Sequence, residues 1–198
     1  MTMAKKKKGP SRTPRAEAFQ AWAKGRCLVE AAIPTPLGEL TAVVDDAGLR
    51  ILAFSDFSKL KQWKAEAQAT LGAVATPGTH PHLATLKREL AAYFSGKGTG
   101  FSVPLAPLGT PFRQEVWRRL ASVSFGKALS YGDLARMAGN PKGSRAVGGT
   151  VGANPLIIVV PCHRVLGAGG TLGGFSSGIE RKKWLLAHEG AGKLVLTS

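Results

Sequence analysis

Short runs of aliphatic residues, each followed by a turn-forming segment, begin at residue 27. The three runs occupy residues 27–33, 40–45 and 49–55, and segments containing Pro and Gly or Asp and Gly separate them. Runs of this length bounded in this way are typical of β-strands joined by hairpin turns. The pattern therefore predicts a small sheet in this part of the chain.

A helical period follows the predicted sheet. Segments 57–71 and 82–94 are predicted helices, and in the second the apolar residues recur every three or four positions. The apolar face of this second helix consists of Leu83, Leu86, Leu90 and Phe94. A sheet followed by two such helices predicts an α/β fold for this part of the chain.

A segment rich in Gly and Pro, residues 96–109, is predicted to be a linker. Beyond it, Thr110 is placed to cap a helix that Pro111 begins, since Pro is favoured at the first helical position. The core face of that helix is predicted to be Phe112, Val116 and Leu120.

Two short helices across a tight turn are predicted next. The first spans residues 131–139, residues 140–143 form the turn, and Ser144 caps a second helix that runs to Asn154. The inward-facing residues of the first helix are predicted to be Leu134, Met137 and Ala138. This arrangement is typical of a helix-turn-helix, whose second helix usually contacts DNA.

The second of these helices has an unusual face. One side carries Arg145, Gly148, Gly149 and Gly152, and the other carries Val147, Val151 and Asn154. Each interior Gly costs about 1 kcal/mol relative to Ala, so the bare face needs a reason. Close approach to a DNA minor groove is one reason, and tight packing within the protein is the alternative.

Five consecutive aliphatic residues, 156–160, predict a short strand buried on both faces. Pro161 ends this strand, and Cys162, His163 and Arg164 follow at once. Nearby positive charge lowers the pKa of a thiol and makes it a better nucleophile. The alternative is a structural Cys, because free Cys is among the most buried residue types.

Charge is unevenly distributed along the chain, which has a net charge of +15. Residues 1–26 contribute +7, residues 27–106 contribute nothing and residues 107–198 contribute +8. The asymmetry favours a polyanion as the partner of the C-terminal part. Residues 1–24 have few aliphatic residues and are predicted to be a disordered basic tail.

No apolar run approaches transmembrane length, so we expect an intracellular protein that does not enter a membrane. The two cysteines, Cys27 and Cys162, are far apart in sequence and form neither a disulfide framework nor a zinc motif. We therefore expect no metal and no cofactor.

The motifs of the C-terminal part occur in a specific order. They are Ser130-Tyr131-Gly132-Asp133, Gly139-Asn140-Pro141-Lys142, Ser144-Arg145-Ala146-Val147-Gly148-Gly149, Asn154-Pro155, Pro161-Cys162-His163-Arg164-Val165, Gly173-Gly174-Phe175-Ser176 and Trp184-Leu185-Leu186-Ala187-His188-Glu189-Gly190. This order resembles the methylated-DNA–protein-cysteine methyltransferases, which remove alkyl groups from guanine O6. The resemblance is close over residues 110–190 and looser over residues 27–106.

The resemblance implies a fold and a domain organisation. An N-terminal α/β domain with a small ribonuclease-H-like sheet would span residues 25–104. A mainly α C-terminal domain with a winged-helix-like helix-turn-helix would span residues 105–192 and carry DNA binding and alkyl transfer. Relatives with a structural zinc hold it through two Cys and two His, a set that this N-terminal part lacks.

The resemblance also implies catalytic roles. Glu189, His163 and a water would relay a proton from Cys162, whose thiolate takes the alkyl group. Adjacent residues of a strand point to opposite sides, so a bridging water is expected rather than a direct contact between Cys162 and His163. His188 lies beside Glu189 and is not expected to take part in the relay. Its position near a helix C-terminus is explained by a favourable interaction with the helix dipole.

Further roles follow from the resemblance for the residues around the base. Arg145 would fill the stack after the base flips out, Tyr131 would crowd the 3′ phosphate, and Gly148, Gly149 and Gly152 would admit the backbone of the DNA. The pocket and its support would consist of Asn154, Pro161, Val165, Phe175 and Ser176. The alternatives are a phosphate contact for Arg145 and a core aromatic for Tyr131.

The function implied is DNA repair by irreversible, single-turnover transfer of an alkyl group from guanine O6, and possibly thymine O4, to Cys162. The partner would be double-stranded DNA with an alkylated guanine, bound by a monomer through the minor groove in the cytoplasm or nucleoid, or in a nucleus. A non-catalytic protein that flags lesions is the main alternative, and it would lack the Cys. A thiol hydrolase and a plain helix-turn-helix regulator leave the motif order unexplained.

Overall fold

The structure, a computed structural model, describes residues 27–191. The predicted sheet is confirmed, and it has four strands in the order β3-β2-β1-β4. The strands are β1 (Leu28–Ile33), β2 (Leu40–Asp45), β3 (Gly48–Phe54) and β4 (Ala75–Pro77). The first three are antiparallel neighbours, whereas β4, which the pattern does not predict, pairs with β1 in parallel. The predicted basic tail lies outside the described residues.

Two helices cover opposite faces of this sheet. Helix α1 (Leu60–Leu71) begins three residues later than predicted, and α2 (Pro81–Phe94) begins one residue earlier, capped by His80. Side chains of β2 alternate between the two faces, so that Val43 packs with α1 while Ala42 and Val44 pack with α2. Every residue of β2 is buried, because it is a central strand covered on both sides.

The segment 96–109, predicted to be a linker, is packed against the sheet instead. The Leu49 N–H donates to the Pro104 carbonyl at 2.7 Å, and the Ala106 N–H donates to the Leu49 carbonyl at 2.9 Å. Val103 is buried in the core. The free edge of β3 offers unpaired backbone groups, and the connecting chain satisfies them.

The C-terminal part is built from four helices. They are α3 (Pro111–Ala121), α4 (Tyr131–Met137), α5 (Ser144–Gly152) and α6 (Ile179–His188). Thr110 caps α3 as predicted, and Ser130 caps α4 in a reciprocal box with Asp133. The predicted bounds of α5 were wrong at both ends, because Gly143 is its cap and it ends at Gly152 rather than at Asn154.

Two predicted core positions were wrong. Phe112 is 36% exposed and Met137 is 38% exposed, whereas Val116, Leu120 and Leu134 are buried as predicted. The buried face of α3 is turned toward α5, where the Trp117 indole N–H donates to the Thr150 carbonyl at 3.0 Å. The position of α5 therefore decides which side of α3 is covered, and Phe112 lies outside that contact.

The predicted strand over residues 156–160 was also wrong. Only Leu156 forms a β-bridge, with Leu52 of β3, and the chain then turns through Ile158, which has a φ of 69°. The Asn154 side chain closes this turn, since its Nδ2 donates to the Val160 carbonyl at 2.7 Å and its Oδ1 accepts from the Leu156 N–H at 3.0 Å. All five aliphatic residues are buried, and burial alone does not distinguish a turn from a strand.

A single hydrophobic core joins the two parts of the molecule. It contains buried residues of β2, β3 and α2 together with those of α3, α4, α5 and the turn that leads to Cys162. The edge of β3 thus holds both the connecting segment and this turn. The consequence is that the sheet supports Cys162 from behind.

Candidate active site and DNA-facing surface

Cys162 lies at the base of an open cavity of about 360 Å³. The cavity is lined by Tyr131, Gly148, Val151, Gly152, Cys162, Gly174, Phe175 and Ser176. Cys162 itself is only 3% exposed, so a reacting group has to enter the cavity to reach its Sγ. The thiol belongs to a single 3₁₀ turn, Cys162–Arg164, rather than to the end of a strand.

Helix α5 forms one side of this cavity. Arg145, Gly149 and Gly152 are exposed, while Val147 and Val151 are buried, which is the division of faces that the sequence predicts. A Cβ added to Gly149 or Gly152 would meet nothing within 4 Å. These two glycines are therefore not required by packing within the described protein, and the bare face is open to an external partner.

Gly148 is different from the other two glycines of this face. A Cβ added there would lie 3.7 Å from the ring of Tyr131, an ordinary contact. Tyr131 begins α4 and is half-buried between α5 and the loop that carries Phe175 and Ser176. Burial raises the pKa of the Tyr131 hydroxyl, and the neighbouring Cys162 charge raises it further, so the hydroxyl keeps its proton.

His163 lies behind Cys162 and is completely buried. Its Nε2 is 2.8 Å from Glu189 Oε1, and an ionised carboxylate only accepts, so Nε2 carries the proton. Its Nδ1 has no hydrogen-bond partner among residues 27–191. Burial lowers the pKa of His163 despite the opposing effect of Glu189, which leaves a neutral imidazole with an unused acceptor.

Glu189 is the centre of a cluster that we call the rear cluster, made of Tyr93, His163, Arg164 and Glu189. Arg164 donates to both carboxylate oxygens, from Nε at 2.7 Å and from Nη2 at 2.9 Å. The Tyr93 hydroxyl donates to Oε1 at 2.8 Å. Burial opposes ionisation, but the His163 and Arg164 hydrogen bonds and charges prevail and hold the pKa of Glu189 far below its usual range.

Gly126 makes the rear cluster possible. It has a φ of 70°, and a Cβ added to it would lie 2.9 Å from the Glu189 carbonyl oxygen. Its N–H also approaches Glu189 Oε2 at 3.4 Å. A residue with a side chain here would be strained and would push the end of α6 away.

Arg164 does not have the role expected from its place in the sequence. Its guanidinium is bound to Glu189 and to the Val123 carbonyl. Burial raises the pKa of the Cys162 thiol, and the effects that oppose this are a hydrogen bond from Asn154, the charge of Lys182 and backbone N–H groups. Among these effects the cationic one comes from Lys182 and not from Arg164.

The sequence analysis missed Lys182. This side chain is 0% exposed, and its Nζ donates to the Val165 carbonyl at 2.7 Å and to the Leu172 carbonyl. Burial lowers the pKa of its ammonium to about 8, while Cys162 raises it. Lys182, Leu185 and Glu189 are spaced so that they share one face of α6. This spacing is the sequence signal that could have predicted Lys182 to be buried together with Leu185 and Glu189.

The remaining predicted residues lie around the cavity in two groups. Phe175 and Ser176 line it directly. Asn154, Pro161 and Val165 are buried and support the turn on either side of Cys162. The His188 Nε2–H donates to the Tyr93 carbonyl at 2.8 Å, and His188 is not among the residues that line the cavity.

Among residues 27–191, no group of three or more His, Cys, Asp or Glu side chains is placed to hold a metal ion. Within the same residues, no helix is long and apolar enough to cross a membrane.

Two family models match this chain, one over the N-terminal part and one over the C-terminal part. Residues 28–107 match the family model described as 6-O-methylguanine DNA methyltransferase, ribonuclease-like domain. Residues 111–191 match the model described as 6-O-methylguanine DNA methyltransferase, DNA binding domain. The two models cover most of the chain and agree with the α/β and helical parts seen in the structure.

Individual relatives have a name that agrees with these family models. The methylated-DNA–protein-cysteine methyltransferase of Shigella flexneri is 39% identical over 171 residues, which are 82% of this chain and 96% of that protein. The protein of the same name from Salmonella typhimurium is 41% identical over 166 residues, again 82% and 96%.

Solved structures agree with these sequences. The crystal structure of Mycobacterium tuberculosis O6-methylguanine methyltransferase has a TM-score of 0.69 at 35% identity and covers 84% of this chain and 93% of its own. A complex of the Mycobacterium tuberculosis protein with DNA has a TM-score of 0.70 at 34% identity, covering 85% and 96%. The chain therefore belongs to the methylated-DNA–protein-cysteine methyltransferases, DNA-repair enzymes that transfer an alkyl group from DNA to a cysteine of the protein.

Proposed function

We propose that Cys162 Sγ is the acceptor of the alkyl group and that the protein is consumed in a single turnover. The observation that carries this proposal is the position of Cys162 between an open cavity and the buried pair of His163 and Glu189. The cavity supplies access for an alkylated base, and the pair supplies a base for the thiol proton. Both are needed, because burial keeps the resting group a thiol rather than a thiolate.

The transfer is a balanced displacement. A water takes the Cys162 proton to His163 Nδ1, a buried acceptor with no hydrogen-bond partner among residues 27–191. Glu189 stabilises the imidazolium that forms. Sγ then attacks the alkyl carbon, the carbon–O6 bond breaks with its electron pair kept by guanine, and the guanine anion takes up a proton. The new carbon–sulfur bond is stable, so the thiol is not regenerated.

The leaving base has a donor close by. The Tyr131 hydroxyl lines the cavity and keeps its proton, so it hydrogen-bonds to the guanine as negative charge develops. Ser176 also lines the cavity, and its hydroxyl contacts O6 of the bound base. Phe175, another lining residue, supplies an apolar surface for the base.

The DNA-facing part of the proposal concerns α5. A target atom inside a duplex is out of reach, so the base has to rotate into the cavity. Exposed Arg145 fills the space left in the stack, while Gly148, Gly149 and Gly152 let the helix approach the minor groove closely. The scheme needs no residue of a second subunit, so we propose a monomer that acts in the compartment that contains the genome.

The alternative, a protein that only binds and flags alkylated DNA, is not favoured. A binding protein needs the cavity and the α5 face, but it has no use for a thiol backed by a buried acceptor. Cys162 and the rear cluster would then be without a function.

The test is mass spectrometry of the intact protein after incubation with a duplex that contains O6-methylguanine. We expect each molecule to gain one methyl group, with repair ending at one equivalent of protein. Cys162→Ala removes the acceptor and should bind the duplex without transfer. Cys27→Ala is the matched control, since Cys27 is the other cysteine and is exposed. Repair beyond one equivalent, or a methyl group on Cys27, would contradict the proposal.

A further inference from the structure

One donor of the rear cluster comes from the N-terminal part of the molecule. Tyr93 lies at the end of α2, on the far side of the shared core from α5, and it is 0% exposed. Its hydroxyl donates to Glu189 Oε1 at 2.8 Å across 96 residues of sequence. The other close donors, His163 and Arg164, both belong to the turn that begins at Cys162.

The hydroxyl is held in place on several sides. The His188 Nε2 is 2.8 Å from the Tyr93 carbonyl, and the His188 ring packs against the edge of the Tyr93 ring at a centroid distance of 5.1 Å. Phe125 contacts the same ring edge-to-face at 6.1 Å. Tyr93 is thus clamped by two consecutive residues, His188 at its backbone and Glu189 at its hydroxyl.

A Tyr at this position has a cost that a Phe would avoid. A buried hydroxyl has to be hydrogen-bonded, and Glu189 is the partner it has within the described residues. Burial and the Glu189 charge raise the pKa of Tyr93 far above its ordinary value, so the hydroxyl acts only as a donor. The presence of the hydroxyl is therefore explained by its hydrogen bond to the Glu189 carboxylate rather than by packing.

The two oxygens of Glu189 are not equivalent. Arg164 binds both of them and so holds the carboxylate without favouring either one. Tyr93 approaches Oε1 alone, and Oε1 is the atom that receives the His163 Nε2 proton. Without the hydroxyl, the carboxylate is free to turn further toward Arg164 and away from His163.

We propose that Tyr93 is a positioning residue for alkyl transfer, supplied by the N-terminal part, which holds Glu189 Oε1 against His163. This inference rests on the proposed proton relay from Cys162 to His163. It assigns the ribonuclease-like part a direct contribution to the chemistry, in addition to support of the fold.

The charged and titratable groups around this relay come from three places, namely α2, the turn Cys162–Arg164 and α6. Tyr93 of α2 and the pair His163 and Arg164 face Glu189. Lys182 of α6 acts on both His163 and Cys162. Tyr93 is the member of this set that Phe can replace without a change of charge. The Tyr93→Phe variant therefore tests the position of the Glu189 carboxylate without altering the net charge of the rear cluster.

The experiment is the single-turnover rate of alkyl transfer from a methylated duplex, measured against pH for Tyr93→Phe. We expect the rate to fall by about tenfold, the order of the effect of losing one hydrogen bond to a charged group. We also expect the midpoint of the low-pH limb of the profile to move to lower pH. The reason is that Glu189 raises the pKa of His163, so a displaced Glu189 stabilises the imidazolium less and His163 loses its proton at lower pH while being a weaker base.

Two further variants separate the possible results. His188→Phe keeps an aromatic ring beside Tyr93 and removes one hydrogen bond to the Tyr93 carbonyl, which still accepts from the Gly96 N–H at 3.0 Å. It leaves the donors of Glu189 in place, so it should lower stability without moving the pH midpoint. Glu189→Gln removes the carboxylate charge and should move the midpoint in the same direction as Tyr93→Phe, but further.

An unmoved midpoint in Tyr93→Phe, with Glu189→Gln shifted, would overturn the role of Tyr93 and leave the relay intact. A midpoint moved to higher pH in Tyr93→Phe would also overturn it, because the hydroxyl would then be weakening the hold of Glu189 on His163. An unmoved midpoint in Glu189→Gln would instead overturn the relay itself. Thermal unfolding of each variant identifies a rate loss that comes from misfolding.

Discussion

The two sides of Cys162 differ in almost every physical property. The cavity side is open, is formed largely by glycine, aromatic and hydroxyl groups, and carries no ion pair among its lining residues. The rear cluster is sealed from solvent and consists of an ionised carboxylate with donors on both oxygens. In the proposed function, recognition of the base and activation of the thiol therefore belong to separate sets of residues. Substitutions on the two sides should therefore have different signatures.

The largest effect is expected from Arg164→Met, which breaks the rear cluster. A buried carboxylate would lose its strongest partner, and removal of one member of a buried pair typically costs about 3–5 kcal/mol of unfolding free energy. Chemical denaturation measures this loss. Phe175→Leu on the cavity side is the control and should change the unfolding free energy far less. Equal losses in the two variants would show that the two sides are not distinct.

The same cluster predicts a pH dependence of stability. Because the folded protein lowers the pKa of Glu189 below the value of about 4.3 in the unfolded chain, its contribution is fully present above that value. It is lost as pH falls further toward the folded pKa. Unfolding free energies measured between neutral pH and pH about 3 should decrease less in Glu189→Gln than in the unchanged protein.

The next effect is expected on the cavity side, from Arg145→Ala. Repair in duplex DNA should slow by a large factor, since unstacking a base costs a few kcal/mol and the variant no longer fills the vacated space. Reaction with free O6-methylguanine requires no flipping and should be nearly unchanged. The ratio of the two rates is the measurement. Equal losses on both substrates would make Arg145 a residue of the general structure.

The smallest effect is expected from Gly149→Ala and Gly152→Ala. Each should stabilise the fold, by up to about 1 kcal/mol, because Ala is the better helix former and the added Cβ meets nothing. Each should also weaken binding to duplex DNA by holding α5 away from the groove. Thermal unfolding and a binding titration on the same variants test both signs. Stabilised variants that bind DNA normally would show that the bare face does not approach DNA.

Local patterns predicted the elements that local physics determines. Strands β1 to β3 and helices α2 to α4 were confirmed closely, because strand alternation, helical period and caps such as Thr110 depend on neighbouring residues. The division of α5 into a buried and a bare face follows from its period in the same way. The motif order around Cys162 was sufficient to identify the family.

Other features depended on packing partners that no local pattern specifies. The run 156–160 is as apolar as a buried strand, yet the Asn154 side chain closes it into a turn. Phe112 fits the period of α3, but the position of α5 leaves it exposed. Segment 96–109 has the composition of a linker, and the free edge of β3 makes it part of the packed structure.

The sequence by itself determined which residues are the candidates for the chemistry, because Cys162, His163 and Glu189 stand in a specific motif order. Only the tertiary structure decided which groups act on them. It brought Tyr93 to Glu189 from 96 positions away and turned Lys182, one of three consecutive basic residues, into the core beside Cys162. The physical reason is that a buried charge is stabilised by whatever donors the fold places around it. Those contacts form between segments whose separation along the chain carries no information about their distance in space.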